Sequence, residues 1–312
     1  MAPGRRLLRV ALLGLTNSGK STLCNALVGE EVTIATAKRH TTRSRVRAIF
    51  VEREAQVVLS DTPGVLELDR ESRRERSRNP LAFKPLKAAA PDALRDAHLH
   101  LLVVDASATD SVARAEHTGR ELARLRTLGA APDDARDGGA GVILALNKVD
   151  RLNTSDRVPK LARRLAEACQ VSPLAVCPIS ALGGPAGAGI AELRRVLVEA
   201  AVPSEWDFAD PDQRSDLTLG ERALDILRAE IHHALHRQLP YAVRSEEVRW
   251  AEERETGAIL LEVELSMPHF SELAVLRSAL GTIHRAAQAR LVELFGRQVQ
   301  LALHTRLRSA RG

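Results

Sequence analysis

Gly14-Leu15-Thr16-Asn17-Ser18-Gly19-Lys20-Ser21 follows the alternating apolar run Leu8, Val10, Leu12 and precedes a helical stretch. A Gly-x-x-x-x-Gly-Lys-Ser loop between a strand and a helix is a phosphate cradle. Backbone N–H groups of Asn17, Ser18, Gly19 and the first helical turn through Thr22 are placed to surround phosphate oxygens. Lys20 reaches the β- and γ-oxygens, and the Ser21 hydroxyl is placed for Mg²⁺. The fold this implies is an α/β P-loop domain, a mostly parallel sheet with helices on both faces.

Working outward, three further segments fall in a fixed order. Asp61-Thr62-Pro63-Gly64 ends the run Val57-Val58-Leu59. A strand there delivers the Asp61 carboxylate toward a metal's outer shell and the Gly64 N–H toward a γ-phosphate. Asn147-Lys148-Val149-Asp150 follows Val142 to Leu146, which puts an amide, a long aliphatic stem and a carboxylate at the carboxyl end of a buried strand, where open α/β sheets bind ligands. Asp150 can accept from the N1–H and 2-amino group of guanine, whereas adenine would leave it unpaired, so guanine is selected. Ser180-Ala181-Leu182, after Leu174 to Ile179, adds N–H groups near the guanine oxygen. Together these segments predict a GTP/GDP and Mg²⁺ site.

Length and composition fit two domains: 312 residues, 45% hydrophobic and 27% charged. Charge interrupts every apolar stretch before it reaches the roughly 18 residues of a membrane helix, so no transmembrane segment is expected. Cys24, Cys169 and Cys177 are odd in number and widely spaced, which reads as reduced core thiols in a reducing compartment. The basic stretch Met1 to Arg9 is too short for a targeting segment, because Val10 already lies in the first strand. From Glu221 onward the basic residues are all arginine, and Arg277, Arg285, Arg290, Arg297, Arg306, Arg308 and Arg311 stand against Glu293 alone in their stretch. Such a patch suits phosphate or is a solvated helix face.

Residues 1–202 alternate apolar strands with amphipathic stretches. One hairpin breaks the pattern, Arg45 to Val51 with Ala55 to Leu59, predicted antiparallel at a sheet edge. Glu67 to Pro80 reads as a mobile polar segment, Ala130 to Gly141 as a loop insertion, and Gly183 to Gly189 as a flexible loop. Residues 203–219 have linker character, with Trp206 and Phe208 as docking residues. A second domain, 220–312, follows: a helix through Leu224, Leu227, Ile231 and Leu235, strands Val243 to Trp250 and Ala258 to Leu265, a largely helical Glu272 to Leu294, and a strand Gln298 to Leu303. That order predicts a small α+β unit.

On these residues the chain resembles the Era family of ribosome-assembly GTPases over nearly its whole length. The resemblance rests on Lys38-Arg39-His40-Thr41-Thr42-Arg43, Asp61 to Val65, Leu239-Pro240-Tyr241 and Val248-Arg249-Trp250-Ala251-Glu252. His40 and the Trp250 segment point to the mitochondrial Era-like branch, hence the mitochondrial matrix, with a bacterial cytoplasm as the alternative. The resemblance implies a KH-like (type II) second domain that binds the 3′ region of small-subunit rRNA within the pre-small ribosomal subunit, in a protein expected to be monomeric. A KH domain clamps RNA with a Gly-x-x-Gly loop between two helices. Here Ser278-Ala279-Leu280-Gly281 occupies that register, without the first glycine or any internal cation, and with a following helix about one turn short. The loop is therefore degenerate, and Arg277, Ser278, Gly281, Arg285, Arg306 and Arg308 are the candidate RNA contacts. A protein-docking factor that binds ribosomal proteins through this domain is the alternative function.

For catalysis the resemblance adds Thr42, with Thr41 as its rival, as a second Mg²⁺ hydroxyl beside Lys20 and Gly64. Asn17 is a candidate K⁺ ligand. Val65 stands where small GTPases often carry a water-positioning glutamine, so slow intrinsic hydrolysis is expected.

Overall fold

The computed structural model describes residues 4–15, 17–33, 46–61, 94–108, 110–129, 140–153, 156–235, 239–253 and 256–308. The Lys38 to Arg43 and Thr62 to Val65 segments, with Thr41, Thr42 and Gly64, lie outside these residues, as do the side chains of Asp61 and Tyr241 and the segments 67–80 and 130–139. The chain divides into two compact units, Met1–Asp216 and Leu217–Gly312.

In the first unit the strand order is β2 (Val46–Glu52), β3 (Ala55–Asp61), β1 (Arg6–Leu13), β4 (Leu99–Asp105), β5 (Gly141–Asn147), β6 (Ala175–Pro178). Every adjacent pair is parallel except β2 with β3, so the predicted hairpin sits at the edge. The central strands are buried on both faces. Leu8, Val10 and Leu12 pack under α1 (Lys20–Val28), whereas Ala11 and Leu13 pack toward α2 (Ser111–Gly129) and α3 (Arg157–Cys169). Leu161, Leu165 and Cys169, one helical turn apart, form the buried stripe of α3. Cys24, Cys169 and Cys177 are buried thiols outside any disulfide.

The β2–β3 turn is made by Arg53 and Glu54, both at positive φ (48° and 61°) without a glycine. Left-handed backbone costs such residues roughly 1–2 kcal/mol each. Hydrogen bonds from the Arg6 backbone N–H and the Trp206 indole to the Glu54 carbonyl, and from the Arg6 guanidinium to the Arg53 carbonyl, hold the turn in place.

The expected linker 203–219 is different in the structure. After α4 (Ile190–Glu199), Val202–Pro203 forms a short strand β7 antiparallel to β1. Asp207 clasps Arg9 through two hydrogen bonds of 2.6 and 2.7 Å, and the Gln56 amide bonds both ways with the Phe208 backbone. Ser215 bridges to Ala48, and Asp216 bonds the Arg47 backbone. Residues 202–216 are thus a strap across one end of the sheet and along the edge strand β2, covering a row of unpaired backbone groups. Gly183 to Gly189, expected as a loose loop, begins inside a 3-10 helix, Ala181–Ala186.

The second unit orders α5 (Leu219–Ala234), a short α6 (Leu239–Ala242), β8 (Arg244–Glu252), β9 (Ile259–Met267), α7 (Phe270–Phe295) and β10 (Val299–Leu307). The strands form a sheet in the order β10-β9-β8, with β10 parallel and β8 antiparallel to β9. Thr218 and Glu221 start α5 with reciprocal capping bonds. The main departure from expectation is α7. It runs 26 residues without a break, so Ser278 to Gly281 is helix interior, and there is neither a degenerate loop nor a shortened second helix. Leu273, Leu276, Ile283, Ala287 and Leu291 form one buried stripe through that region. Ala279 and Leu280 are strong helix formers, and the Ser278 hydroxyl bonds back to the Val275 carbonyl at 2.7 Å.

Candidate functional site

The phosphate loop lies between β1 and α1, as its sequence requires. Gly14 has no room for a side chain, since a Cβ there would stand 2.3 Å from the Val103 carbonyl oxygen. Gly19, the residue before α1, sits at φ 97°, and its Cβ would meet the Asn147 amide nitrogen at 2.2 Å. Asn17 is exposed, with φ 61°. Lys20 is buried and folded back, donating to the carbonyls of Gly14 and Leu15 at 3.0 Å each. Ser21 and Thr22 occupy the first turn of α1, half-buried. The Ser18 hydroxyl, in a residue 3% exposed, has no hydrogen-bond partner among the described residues.

Asn147, at the end of β5, joins three predicted segments. Its amide donates to the Ser18 carbonyl at 2.9 Å, and its Oδ1 accepts from Lys148 N at 2.8 Å and from Ala181 N at 3.0 Å. The phosphate loop, the Asn-Lys-x-Asp segment and the Ser180 to Leu182 turn therefore converge on one buried side chain. Asp150 is exposed on a 3-10 turn, Val149–Arg151, and Leu182 is 74% exposed. Ser180 and Ala181 are buried.

Asp105, at the end of β4 in register with Asn147, is a residue the motif reading missed. Its Oδ2 accepts from Lys148 Nζ at 2.6 Å, and the same ammonium donates to the Asn17 carbonyl at 2.7 Å. Burial pushes the Asp105 carboxyl up, but hydrogen bonds from Lys148 and Ser107 outweigh it and hold the group below the ordinary aspartate range. The signal was present, since Asp105 ends an apolar strand as Asn147 does.

The group these residues fit is a guanine nucleotide. A glycine-lined hollow at a helix N-terminus, a lysine folded over it, a hydroxyl in the first helical turn and an exposed carboxylate at the next strand end but one supply its donor set.

The candidate RNA residues of the second unit are less free than their spacing implied. Arg306 lies 2.6 Å from Glu264 and 4.0 Å from Glu246, Arg297 pairs with Glu252, and Arg290 pairs with the buried Glu230. The cationic excess counted along the chain is thus offset by carboxylates from neighbouring elements. Arg277 donates to the Thr305 hydroxyl at 3.1 Å and Arg285 to the Gly281 carbonyl at 3.3 Å, neutral partners in both cases. Arg308 donates to the carbonyls of Ala242 and Ser266, while its buried Nε has no partner among the described residues. Burial, and Arg244 beside it, pull its guanidinium down.

No helix among the described residues is long and apolar enough to cross a membrane. The family model of the 50S ribosome-binding GTPases matches residues 9–148. The GTPase Era of Dinoroseobacter shibae is 33% identical over 305 residues, 96% of this chain and 89% of the relative. The GTPase Era of Brucella suis is 32% identical over 304 residues, 96% and 87% of the two chains. A crystal structure of Era in complex with MgGDPNP and nucleotides 1506-1542 of 16S ribosomal RNA shares the fold over 98% of this chain and 95% of its own, with TM-score 0.78 and 23% identity. These relatives are bacterial, so they lend the expected organellar branch no support. With relatives above 30% identity spanning almost all of it, the chain belongs to the Era family of GTPases.

Proposed function

We propose that this protein is a GTP-hydrolysing switch that engages the 3′ region of small-subunit rRNA and assists assembly of the small ribosomal subunit. The observation that carries the nucleotide half is Asn147, whose three hydrogen bonds draw the phosphate loop, the guanine-reading segment and the Ser180 to Leu182 turn into one site. Asp150 reads guanine; of the Ser180, Ala181 and Leu182 N–H groups expected near its carbonyl, that of Ser180 donates to the Ala188 carbonyl and that of Ala181 to Asn147 Oδ1, which leaves the Leu182 N–H for this role. The N–H groups of Asn17 to Thr22 hold phosphate, and Lys20 leaves its two loop carbonyls to neutralise the β- and γ-oxygens. Ser21 and Thr42 hold Mg²⁺, with Asp61 in its outer shell; Gly64 senses the γ-phosphate, and Asn17 is the K⁺ candidate. When bound, the metal stabilises charge developing on the phosphoryl oxygens.

The rRNA half is supported by the Era relatives and by the fold shared with an Era crystallised on 16S rRNA. The setting we assign is a bacterial cytoplasm, matching those relatives; the mitochondrial-matrix expectation rests on His40 and the Trp250 segment alone. A second reading is favoured by the unbroken α7 and the paired Arg306, Arg297 and Arg290: the second unit docks ribosomal proteins instead.

Competition binding tests the first half. GTP and GDP displace a fluorescent GDP and ATP does not, and Asp150→Asn turns the preference toward xanthine nucleotides; ATP competing as well as GTP would sink the assignment. Salt dependence separates the two readings of the second unit. Retention on rRNA that falls steeply with salt supports RNA binding. Salt-insensitive capture of a purified ribosomal protein, with rRNA ignored, supports docking.

A further inference from the structure

The two oxygens of the Asp105 carboxylate are both committed. Oδ1 accepts from the Ser107 backbone N–H at 2.9 Å and from the Ser107 hydroxyl at 2.7 Å. Oδ2 accepts from Lys148 Nζ at 2.6 Å. Ser107 thus fixes the rotation of the carboxylate, and the carboxylate fixes the ammonium. From there the ammonium reaches the Asn17 carbonyl at 2.7 Å, so the lysine stem spans from the guanine-reading segment to the phosphate loop. Lys148 also sits at φ 66°, a left-handed conformation that a lysine holds only where its surroundings impose it. The bonds of Asn147 to Lys148 N and of Ala106 N to the Asn147 carbonyl, 2.8 and 2.9 Å, supply part of that restraint. The side chains of Lys148 and Asp105 are each 22% exposed, so water screens their pairing only in part.

We infer that Asp105 is a positioning residue for guanine-nucleotide binding: it holds Lys148 against the Asn17 carbonyl, and so sets how long the nucleotide stays bound. The inference rests on the nucleotide-binding reading above. Its physical content is a coupling. A lone lysine head would exchange among water and loop carbonyls, losing side-chain order that binding must then restore. The Asp105 carboxylate removes that freedom before nucleotide arrives. Because the tie restrains a preformed site, its loss shows mainly as faster dissociation.

The test is the equilibrium affinity and dissociation rate of a fluorescent GDP, measured for the full chain and for Asp105→Asn, Lys148→Met and the double variant. Asp105→Asn is expected to raise Kd about tenfold, the scale of one hydrogen bond to a charged group, with most of the change in the dissociation rate. In the Lys148→Met background the same substitution changes Kd by less than about twofold, because the group it positions is gone. Should Asp105→Asn fail to fold, Ser107→Ala loosens the carboxylate more gently. It is expected to weaken GDP binding by about threefold, an effect that again vanishes without Lys148. Effects of Asp105→Asn and Lys148→Met that simply multiply, or an Asp105→Asn protein with wild-type dissociation, would overturn the inference. A wild-type chain that binds no GDP would instead sink the nucleotide reading itself.

Discussion

Gly14 and Gly19 in the first unit and Gly281 in the second were all singled out as motif glycines, yet only the first two meet a structural demand. A Cβ on Gly14 or Gly19 would come within 2.3 or 2.2 Å of a neighbouring polar atom, and Gly19 holds φ 97°. Gly281 has open space around it and ordinary helical backbone, in the middle of α7. A motif glycine is informative when its backbone conformation or its missing side chain is used by something else in the molecule. Around Gly19 that partner is Asn147. Around Gly281 there is none, and the local helix formers decide the conformation.

The largest expected effect comes from destroying the first case. Gly19→Ala adds roughly 1–2 kcal/mol of left-handed strain and displaces the Asn147 amide from the Ser18 carbonyl, another 1–3 kcal/mol or so. Calorimetric titration with GDP should therefore show affinity falling by about 100-fold, and an unchanged Kd would remove the basis of the contrast. A smaller effect sharpens the second unit. If rRNA binds there, Arg277 and Arg285, whose partners are neutral, carry more phosphate contact than Arg306, already paired with Glu264 and Glu246. Replacing Arg277 and Arg285 together by alanine should lower the log K against log salt slope by about 0.7–0.9 for each lost contact. Arg306→Ala should leave the slope nearly unchanged, and equal slopes for the two variants would refute this ranking. The smallest effect is a gain. Gly281→Ala should stabilise the protein by about 0.5–1 kcal/mol in denaturant unfolding, the ordinary benefit of alanine over glycine within a helix. A loss of stability there would mean that Gly281 is needed as glycine after all.

The same contrast explains what the residues disclosed in advance. The phosphate loop, the hairpin at the sheet edge and the Asn147 to Asp150 segment were legible because each is written in consecutive residues: glycines at fixed spacing, an apolar alternation, polar groups closing a strand. Asp105 obeys that last rule and was passed over because its partner, Lys148, is distant in sequence. The Arg306 pairings were hidden for a related reason, since Glu264 and Glu246 come from β9 and β8 and only the strand register brings them close. In α7 the local signal was right. Glu272 to Leu294 reads as helix, and placing a loop at Ser278 to Gly281 came from the family pattern, against Ala279 and Leu280. The strap, residues 202–216, carries no periodicity at all. It is held by single contacts such as Asp207 with Arg9 and Phe208 with Gln56, and no count along the chain anticipates them.

That strap has a consequence for how the chain is made. β1 leaves the ribosome long before its antiparallel neighbour β7, Val202–Pro203, and long before Arg214, Ser215 and Asp216, which bond the edge of β2. Until residue 206 has emerged the nascent first unit lacks the Trp206 tether of its Arg53–Glu54 turn, and until residue 216 has emerged it carries an open β2 edge. Such exposed edges are where partly made chains associate wrongly. Completion of the first unit therefore waits on the residues just ahead of the second, and a separately expressed first unit has to run to Asp216, past the 202 boundary read from its motifs.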